Sequence, residues 1–263
     1  MLSAVIIAKN EEKNIQNAIE SVSFCDEVVV VDNESIDKTS EIAIKAGAKV
    51  YRNGEADFSK IRNFAMGKTK GDWILFIDAD ERIPKRLSYE VLKQASSDVI
   101  GVQDDSMQAD RTEVFRIKRR DFFWGTELRF GETQQVRKKG MIRLIKKNSG
   151  TWKGKVHEEF HTDKPVGQLQ SFIDHYPHPT VAEFLQSVNQ YSTLRAQELF
   201  EKNYNSSFVQ IMLYPIGKFI YTYIILLGIL DGAAGFVYSF MMSFHSFLVR
   251  SKLYLLAISP SRK

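Results

Sequence analysis

Runs of apolar residues recur through the first 80 residues of the chain, and each run ends abruptly in polar side chains. Residues 73–77, Trp-Ile-Leu-Phe-Ile, are apolar without interruption, which is typical of a strand buried on both faces of a parallel sheet. Shorter runs at 3–8, 27–31 and 49–51 predict three further strands, with helical spacing between them. This β-α-β-α-β-α-β order predicts parallel strands and therefore an α/β fold.

Local signals predict where the helices begin and end. Asn10 is expected to cap the first helix, because the acids at 11–12 would then lie in its first turn, where the helix dipole favours them. Gly47 is a natural end for the second helix, and 58–66 has the pattern of a third. A fourth helix is predicted over 84–95, with proline in its first turn.

The middle of the chain has a different pattern. Residues 113–119 and 141–147 alternate apolar and charged side chains, which is typical of half-exposed strands. Between them lie four aromatic residues: Phe122, Phe123, Trp124 and Phe130. Aromatic rings stack on sugar faces, so these side chains are candidates for acceptor binding, and packing beneath a loop is the alternative.

The C-terminal part is the most apolar. A capping box at 180–183 predicts a long helix to about Lys202. Two apolar segments follow, 219–230 and 233–249, separated by Asp231 and Gly232. Each is shorter than the roughly 20 residues of a membrane span, and an acid is costly at mid-bilayer. An in-plane or re-entrant helical hairpin therefore fits better than one span, and a buried helix pair is the alternative.

Composition narrows the protein class. The 263 residues are 44% hydrophobic and 26% charged, enough for one large domain or for a domain with an appendage. The net charge of +4 is only mildly basic and no nucleic-acid-binding motif is present, so no nucleic-acid partner is expected. Cys25 is the single cysteine, which excludes an internal disulfide and favours a reducing compartment. We expect no signal peptide, because the N-terminus lacks a basic region followed by a long apolar stretch.

Basic residues cluster at 116–120, 137–139 and 143–147. These clusters are candidates for contact with substrate phosphates or a lipid surface. A solvated strand edge is the alternative.

Acidic residues mark the end of the central strand. Asp78, Asp80 and Glu81 follow the apolar run directly, at the edge of the sheet where α/β proteins bind ligands. If the chain stays extended, Asp78 and Asp80 point to the same side and suit Mg²⁺ or Mn²⁺ shared with substrate phosphates. A solvated acidic turn is the alternative. Neither a Gly-x-Gly-x-x-Gly sequence nor a Walker loop is present, and Asp32 is a candidate hydrogen-bond acceptor for a base or ribose.

Four segments together carry a resemblance: 8–12 (AKNEE), 30–39 (VVDNESIDKT), 62–65 (RNFA) and 76–81 (FIDADE). In this order they resemble family-2 glycosyltransferases of the GT-A fold. The resemblance implies a nucleotide-diphosphate sugar donor and a metal that meets the diphosphate. The donor-binding residues that it implies are Ala8, Asn10, Glu11, Asp32, Ser35, Arg62, Asp78 and Ala79.

Two later segments, 143–147 (RLIKK) and 151–159 (TWKGKVHEE), resemble the branch that includes lipopolysaccharide core heptose β-1,4-glucosyltransferases. The resemblance implies Asp78, Asp80 and His157 as metal ligands, with His157 touching either the metal or the diphosphate. It favours Glu158 as the base of an inverting transfer. The alternative is that Glu158 pairs with a nearby lysine such as Lys155. The absence of a Gln-x-x-Arg-Trp sequence argues against a processive polysaccharide synthase.

These observations predict a GT-A domain over 1–175 and a helical, membrane-facing region over 176–263. The resemblance implies transfer of glucose from UDP-glucose to a glycolipid or saccharide, such as the lipopolysaccharide inner core, at the cytoplasmic face of the inner membrane. The alternatives are a different acceptor and a non-catalytic membrane scaffold. A nucleotidyltransferase would need a glycine-rich basic loop after the first strand, and the residues there do not form one.

Overall fold

The computed structural model describes residues 1–96, 112–154, 158–177 and 180–258. The predicted alternation of strands and helices at the N-terminus is confirmed. The strands are β1 (Leu2–Ala8), β2 (Glu27–Asp32), β3 (Lys49–Arg52) and β4 (Trp73–Asp78). The helices are α1 (Ile15–Ser21), α2 (Thr39–Lys45) and α3 (Phe58–Lys68). The four strands are parallel, in the order β3-β2-β1-β4.

The chain then extends this sheet with antiparallel strands. The elements are β5 (Glu81–Arg82), α4 (Lys85–Ser96), β6 (Val114–Phe123), β7 (Thr126–Leu128), α5 (Gln134–Lys139), β8 (Met141–Lys146), β9 (Thr151–Lys153), β10 (Glu159–His161) and β11 (Val166–His175). The sheet continues in the order β4-β8-β6-β11-β5, and β7 pairs with the end of β6. Strands β9 and β10 form a separate antiparallel pair. The α/β fold class is confirmed, with the parallel strands concentrated in the N-terminal half.

The chain forms two compact units, each made from two segments. The first unit comprises Met1–Arg119 and Lys138–His175, and the second unit comprises Arg120–Arg137 and Tyr176–Lys263. The second unit thus includes a segment from within the predicted 1–175 domain. The assignment of functions to 1–175 and 176–263 stays a prediction.

Strand β4 shows why its sequence is continuously apolar. Trp73, Leu75 and Ile77 belong to the core cluster that also contains the buried side chains of α1 and α4. Ile74 and Phe76 belong to a second cluster with the buried side chains of α3. Because helices cover both faces of the parallel sheet, all five apolar positions of this strand, 73–77, are buried.

Helix α1 begins later than predicted. It starts at Ile15 rather than after Asn10, and its first turn contains no acid. Asn10 instead adopts a left-handed backbone conformation (φ 57°), and its side chain accepts a hydrogen bond from the backbone N–H of Ile36 at 2.9 Å. The Asn10 side chain therefore joins two loops and does not cap a helix.

The centre of strand β8 also differs from the prediction. Arg143, Leu144 and Ile145 are all buried, although the sequence predicts a half-exposed strand. The reason is topological, because β8 lies between β4 and β6 and is covered on both faces.

The second unit is built on α6 (Val181–Glu201), α7 (Phe208–Phe219) and α8 (Gly232–Ile258). A π-helical turn (Ile220–Ile225) and a 3-10 turn (Gly228–Asp231) connect α7 to α8. The predicted cap of α6 is present, since the Thr180 hydroxyl accepts a hydrogen bond from the Glu183 N–H at 3.2 Å. The core of the unit contains Phe123, Leu128, Phe184, Val188, Ala234 and Met241.

Two helical segments in this unit are long and apolar enough to cross a membrane, judged by length and composition. They are Phe208–Ile225, of which 6% is buried inside the chain, and Gly228–Ile258, in which 33% of an 18-residue apolar stretch is buried. The first segment therefore leaves an apolar surface almost wholly uncovered by the rest of the described chain. Soluble monomers rarely expose such a surface.

Asp231, which interrupts the apolar region, has backbone partners. Its carboxylate accepts hydrogen bonds from the N–H of Arg129 at 3.1 Å and the N–H of Phe130 at 2.9 Å. The Leu226 carbonyl accepts two more, from the Gly131 N–H at 2.9 Å and the Gln134 side chain at 2.7 Å. These four groups attach the segment that follows β7 to the turn between α7 and α8.

Candidate active site

The loops that follow β1 and β2 are joined by hydrogen bonds. The Asn10 N–H donates to the Ser35 hydroxyl at 2.9 Å, and the Glu11 N–H donates to the Thr39 hydroxyl at 2.7 Å. Three of the predicted donor-binding residues, Asn10, Glu11 and Ser35, are thus brought together at the carboxyl ends of neighbouring strands. This is the edge at which open α/β sheets bind ligands.

Asp32 lies at the end of β2, opposite Ala8 in the strand register, and is fully buried. Its carboxylate accepts hydrogen bonds from the Ser35 N–H at 2.8 Å and from the Ser40 hydroxyl. Burial acts to raise the pKa of Asp32, but hydrogen bonds from Ser35 and Ser40 hold it below its usual value. The ionised side chain therefore fixes the shape of the following loop.

Asp78 and Asp80 do not point to one side of an extended strand, as the sequence reasoning assumed. Strand β4 ends at Asp78, and residues 79–80 form a turn before β5. The Arg82 guanidinium stabilises this turn by donating to the carbonyls of Ala79 at 2.9 Å and Asn14 at 3.1 Å. The two carboxylates consequently have different partners.

The Asp78 carboxylate is held by two arginines. Arg143 donates to both of its oxygens, at 2.5 and 3.3 Å, and Arg62 donates to one, at 3.3 Å. Burial alone would raise the pKa of Asp78, but the two guanidinium groups hold it well below its usual range. Asp78 is therefore an anion whose oxygens already have strong donors.

Glu81 completes a buried ionic cluster. It is 0% exposed, accepts the Asp78 N–H at 3.0 Å, and accepts a hydrogen bond from Arg143 at 2.9 Å. Burial raises the pKa of Glu81. Arg143 thus bridges Asp78 and Glu81, two acids of the FIDADE motif. In the sequence Arg143 lies in a basic cluster, and that position did not predict this role. The available signal was an arginine flanked by apolar residues on a central strand.

Asp80 faces a different partner, His175, at the end of β11. The Nε2 atom of His175 lies 3.1 Å from Oδ2 of Asp80. Burial acts to raise the pKa of Asp80, and His175 more than offsets this, so that the pKa lies below its usual value. Sequence reasoning missed His175; the available signal was weak, a histidine that follows the apolar pair Phe172 and Ile173 after one acidic residue.

Arg62 connects Asp78 to Glu158, the predicted base. Its Nε atom donates to Glu158 Oε1 at 2.9 Å, while its guanidinium lies over the rings of Trp152 at 4.9 Å and Phe76 at 5.5 Å. The structure therefore brings Glu158 to the end of β4. The alternative partner, Lys155, lies outside the described residues.

Glu11 has an unusual environment for an acid. Burial raises its pKa to about 7, and the negative charges of Asp80, Asp37 and Asp78 act in the same direction. A hydrogen bond from the Asn14 side chain, at 2.8 Å, partly offsets this rise. Glu11 therefore changes charge near neutral pH, beside the acids that end β4.

Some of these side chains are of the kinds that bind divalent metals. Within the described ranges, no cluster of three or more acids, histidines or cysteines is present. Asp80 and His175 nevertheless offer an oxygen and a nitrogen ligand close together, a donor set that suits Mn²⁺ when substrate phosphates and water complete the shell. His157, the third predicted ligand, lies outside the described residues.

The fold is that of an α/β protein with polar side chains at the carboxyl edge of its parallel strands, which is the edge where such proteins bind ligands. The model of the family described as "Glycosyl transferase family 2" matches residues 3–160, more than half of the chain. The chain therefore belongs to glycosyl transferase family 2 and is a glycosyltransferase, as the sequence motifs predicted.

Several relatives match over nearly the whole chain, among them two glycosyltransferases. The lipopolysaccharide core biosynthesis glycosyltransferase LpsC of Rhizobium meliloti (strain 1021) is 29% identical over 265 residues, covering 96% of this chain and 92% of LpsC. An uncharacterized glycosyltransferase of Rickettsia bellii (strain RML369-C) is 29% identical over 255 residues, covering 96% of this chain and 85% of that protein. Among solved structures, glucosyl-3-phosphoglycerate synthase from Mycobacterium tuberculosis, in complex with Mn²⁺, UDP and glucosyl-3-phosphoglycerate, is 25% identical, with a TM-score of 0.34 over 48% of this chain and 44% of that one.

Proposed function

We propose that this glycosyltransferase moves a hexose, with glucose from UDP-glucose as the predicted donor, to a hydroxyl of a glycolipid such as the lipopolysaccharide inner core. The relation to LpsC, which extends over 96% of this chain, supports this class of acceptor. The observation that carries the proposal is the group of partnered carboxylates at the end of β4. It offers separate places for a metal, a donor and a base.

The metal, Mn²⁺ or Mg²⁺, would be held by Asp80 and His175 and would neutralise the departing diphosphate. Asp78 was predicted as a further ligand, but its oxygens already accept from Arg62 and Arg143. We therefore assign Asp78 to the donor, and His157 stays a predicted ligand or diphosphate contact.

The nucleotide would lie along the loops after β1 and β2. Asn10 and Ser35 are joined at the surface of this edge, and Ala8 and Asp32 form its floor. Glu11 lies between this edge and the acids of β4, as the charges acting on it indicate. Ala79 and Arg62, which are 3% and 6% exposed, would lie beneath the diphosphate.

Glu158 is the proposed base. An inverting transfer needs a carboxylate within hydrogen-bond reach of the acceptor hydroxyl, on the face of the sugar opposite the diphosphate. Arg62 orients Glu158 through one oxygen, Oε1. Its other oxygen would take the proton of the attacking hydroxyl.

The second unit would attach the enzyme to the cytoplasmic face of the inner membrane. Over 203–263 the sequence has five basic residues and one acidic residue, and that acid, Asp231, is buried and hydrogen-bonded. The uncovered apolar surface of Phe208–Ile225, together with this charge, suits insertion in the plane of an anionic membrane.

A ligand-induced stability screen tests the proposal. UDP-glucose with Mn²⁺ should raise the melting temperature, by an amount that corresponds to about 2.7 kcal/mol at a hundredfold excess over Kd. Asp80→Asn and His175→Gln should remove the Mn²⁺-dependent part of the rise. Asp72→Asn is the control, because Asp72 precedes β4 at its other end and its side chain is 74% exposed. No rise with any nucleotide sugar, or an unchanged metal effect in both site variants, would contradict the proposal.

A further inference from the structure

The hairpin formed by the end of β6 and by β7 carries an unusual turn. Phe123 pairs with Thr126, so that Trp124 and Gly125 form a two-residue connection in which both have positive φ, 50° and 77°. Asparagine or glycine is preferred at such positions, and a bulky side chain there is strained. A tryptophan in this conformation requires an explanation beyond the formation of the turn.

Trp124 is also the exposed tryptophan of the chain. It is 48% exposed, whereas Trp73 and Trp152 are 3% and 6% exposed. Its ring stacks on Phe123 at 4.6 Å, and Phe123 is fixed by edge contacts with Phe184 of α6 and Tyr238 of α8. The hairpin therefore holds Trp124 outward on a rigid base within the second unit.

The other end of this hairpin is attached to the exposed apolar turn between α7 and α8. The N–H of Arg129 donates to Asp231, and that turn presents Leu227, Ile229 and Leu230 at 46%, 48% and 61% exposure. Arg129 is five positions after Trp124 in the sequence, so their Cα atoms lie no more than about 17 Å apart. If the apolar turn between α7 and α8 is inserted into a membrane to a depth of roughly 5–10 Å, the attached hairpin lies near the membrane–water interface.

We infer that Trp124 is a second membrane contact, which enters the headgroup region beside the apolar surface of α7. Tryptophan is enriched at this interface because its ring is apolar and its N–H remains hydrated. The net positive charge of 203–263 identifies the occupant as an anionic lipid surface. This inference rests on the membrane attachment proposed above and adds a part of the chain that lies outside the apolar helices.

Fluorescence can test this contact directly, because the other two tryptophans are buried. Full-length protein is mixed with vesicles of phosphatidylethanolamine and phosphatidylglycerol, with or without bromine on the acyl chains. The emission of Trp124 is the difference between wild-type protein and the Trp124→Phe variant. We expect this emission to shift to shorter wavelength on vesicles and to be quenched by the brominated lipid. Flotation of the same samples measures membrane binding separately.

A second variant separates lipid contact from a structural role. Trp124→Asn suits the positive φ, so its melting temperature should stay within about 3 °C of wild type. Its vesicle affinity should fall about tenfold, which corresponds to about 1.4 kcal/mol and to roughly 55 Å² of buried apolar surface. Tyr89→Gln is the matched control, because Tyr89 is 73% exposed on α4 of the first unit, and its affinity should not change.

The outcomes distinguish this inference from the proposed function. Protein that floats with vesicles, but whose Trp124 emission is neither shifted nor quenched, keeps the membrane attachment and overturns the hairpin contact. Protein that does not float overturns both. A shift caused by a lipid-free saccharide acceptor, without quenching by brominated lipid, would make Trp124 a sugar-stacking residue and would also overturn the lipid contact.

Discussion

Glu158 and Glu159 are neighbours in the sequence with different surroundings. The Glu158 side chain is 16% exposed and accepts from Arg62, whereas Glu159 is exposed on β10. Glu158→Gln keeps an acceptor for Arg62 but cannot take a proton, so kcat should fall by about 10²–10⁴ while donor affinity is kept. Glu159→Gln should have a much smaller effect. Steady-state kinetics with equilibrium donor binding makes the comparison, and the reverse order of effects would assign the base to Glu159.

Arg143 compensates two buried acids, Asp78 and Glu81, at once. Replacing it by methionine removes the closest cationic partner of both acids and leaves only the longer contacts of Arg62 with Asp78, at 3.3 Å, and of Arg119 with Glu81, at 3.7 Å. Arg143→Met should therefore lower the free energy of unfolding by about 3 kcal/mol. Arg116→Met is the matched control, since Arg116 is exposed, and should change it by less than about 0.5 kcal/mol. Urea unfolding of the two variants measures the difference. A loss below about 1 kcal/mol for Arg143→Met would mean that the acids are compensated elsewhere.

Glu11 makes stability depend on pH. Its pKa is about 7 in the folded chain against 4.5 as the ordinary value, so the unfolded chain releases the proton first as pH rises. The Glu11 contribution is therefore fully present below about pH 4.5 and is lost as pH approaches 7. Relative to wild type, Glu11→Gln should gain stability between pH 5 and 8, on the order of 2 kcal/mol. Chemical unfolding of both proteins in metal-free buffer at pH 5 and pH 8 tests this prediction. The Glu12→Gln variant is the control, because Glu12 is exposed. An equal stability difference between Glu11→Gln and wild type at the two pH values would contradict it.

At the scale of elements, Asp57 caps the N-terminus of α3, the helix that carries Arg62. The Asp57 carboxylate accepts the N–H groups of Ser59 at 2.9 Å and Lys60 at 3.3 Å. Asp57→Ala should lower the free energy of unfolding by roughly 1 kcal/mol, and Asp57→Asn should restore most of it, because asparagine also caps helices. Thermal unfolding of the pair measures the effect. Equal losses in both variants would show that the charge, rather than the cap, stabilises the helix.

The elements also show what the sequence could and could not predict. The parallel strands are apolar runs, and a local pattern is sufficient to find them. The start of α1 depends on Asn10 bonding to Ile36, which is 26 residues away in the sequence. The Asp80–His175 and Arg143–Asp78 pairs span 95 and 65 residues. These contacts arise only when the sheet forms, so local patterns do not contain them. The motif resemblance identified Asp78 and Asp80 as site residues but predicted neither of their partners.

At the scale of the whole molecule, the exposed face of α7 is the surface through which we propose that the enzyme attaches to a membrane. Val209, Met212, Leu213 and Ile216 are 60%, 51%, 59% and 53% exposed. Replacing all four by glutamine should lower vesicle affinity by about a hundredfold or more, since each removes apolar surface worth roughly 0.7 kcal/mol or more.

The melting temperature of this variant should change little, because these side chains contribute little to the core. The control is a variant in which glutamine replaces Tyr89 and Leu92, which are exposed on α4. It shows whether added surface polarity alone changes vesicle binding. Flotation with the vesicles described above measures affinity. Unchanged binding would mean that another part of the chain attaches the enzyme to the membrane.

The two bonds from Arg129 and Phe130 to Asp231 have a consequence for biosynthesis. Asp231 follows Phe130 by 101 positions and Arg129 by 102, so it leaves the ribosome long after these two residues. At about 5–20 residues per second, that delay is roughly 5–20 s. Throughout it Phe123 and Leu128, buried in the finished protein, lack the α8 side chains that cover them. The nascent hairpin thus exposes apolar side chains to solvent until α8 is synthesised.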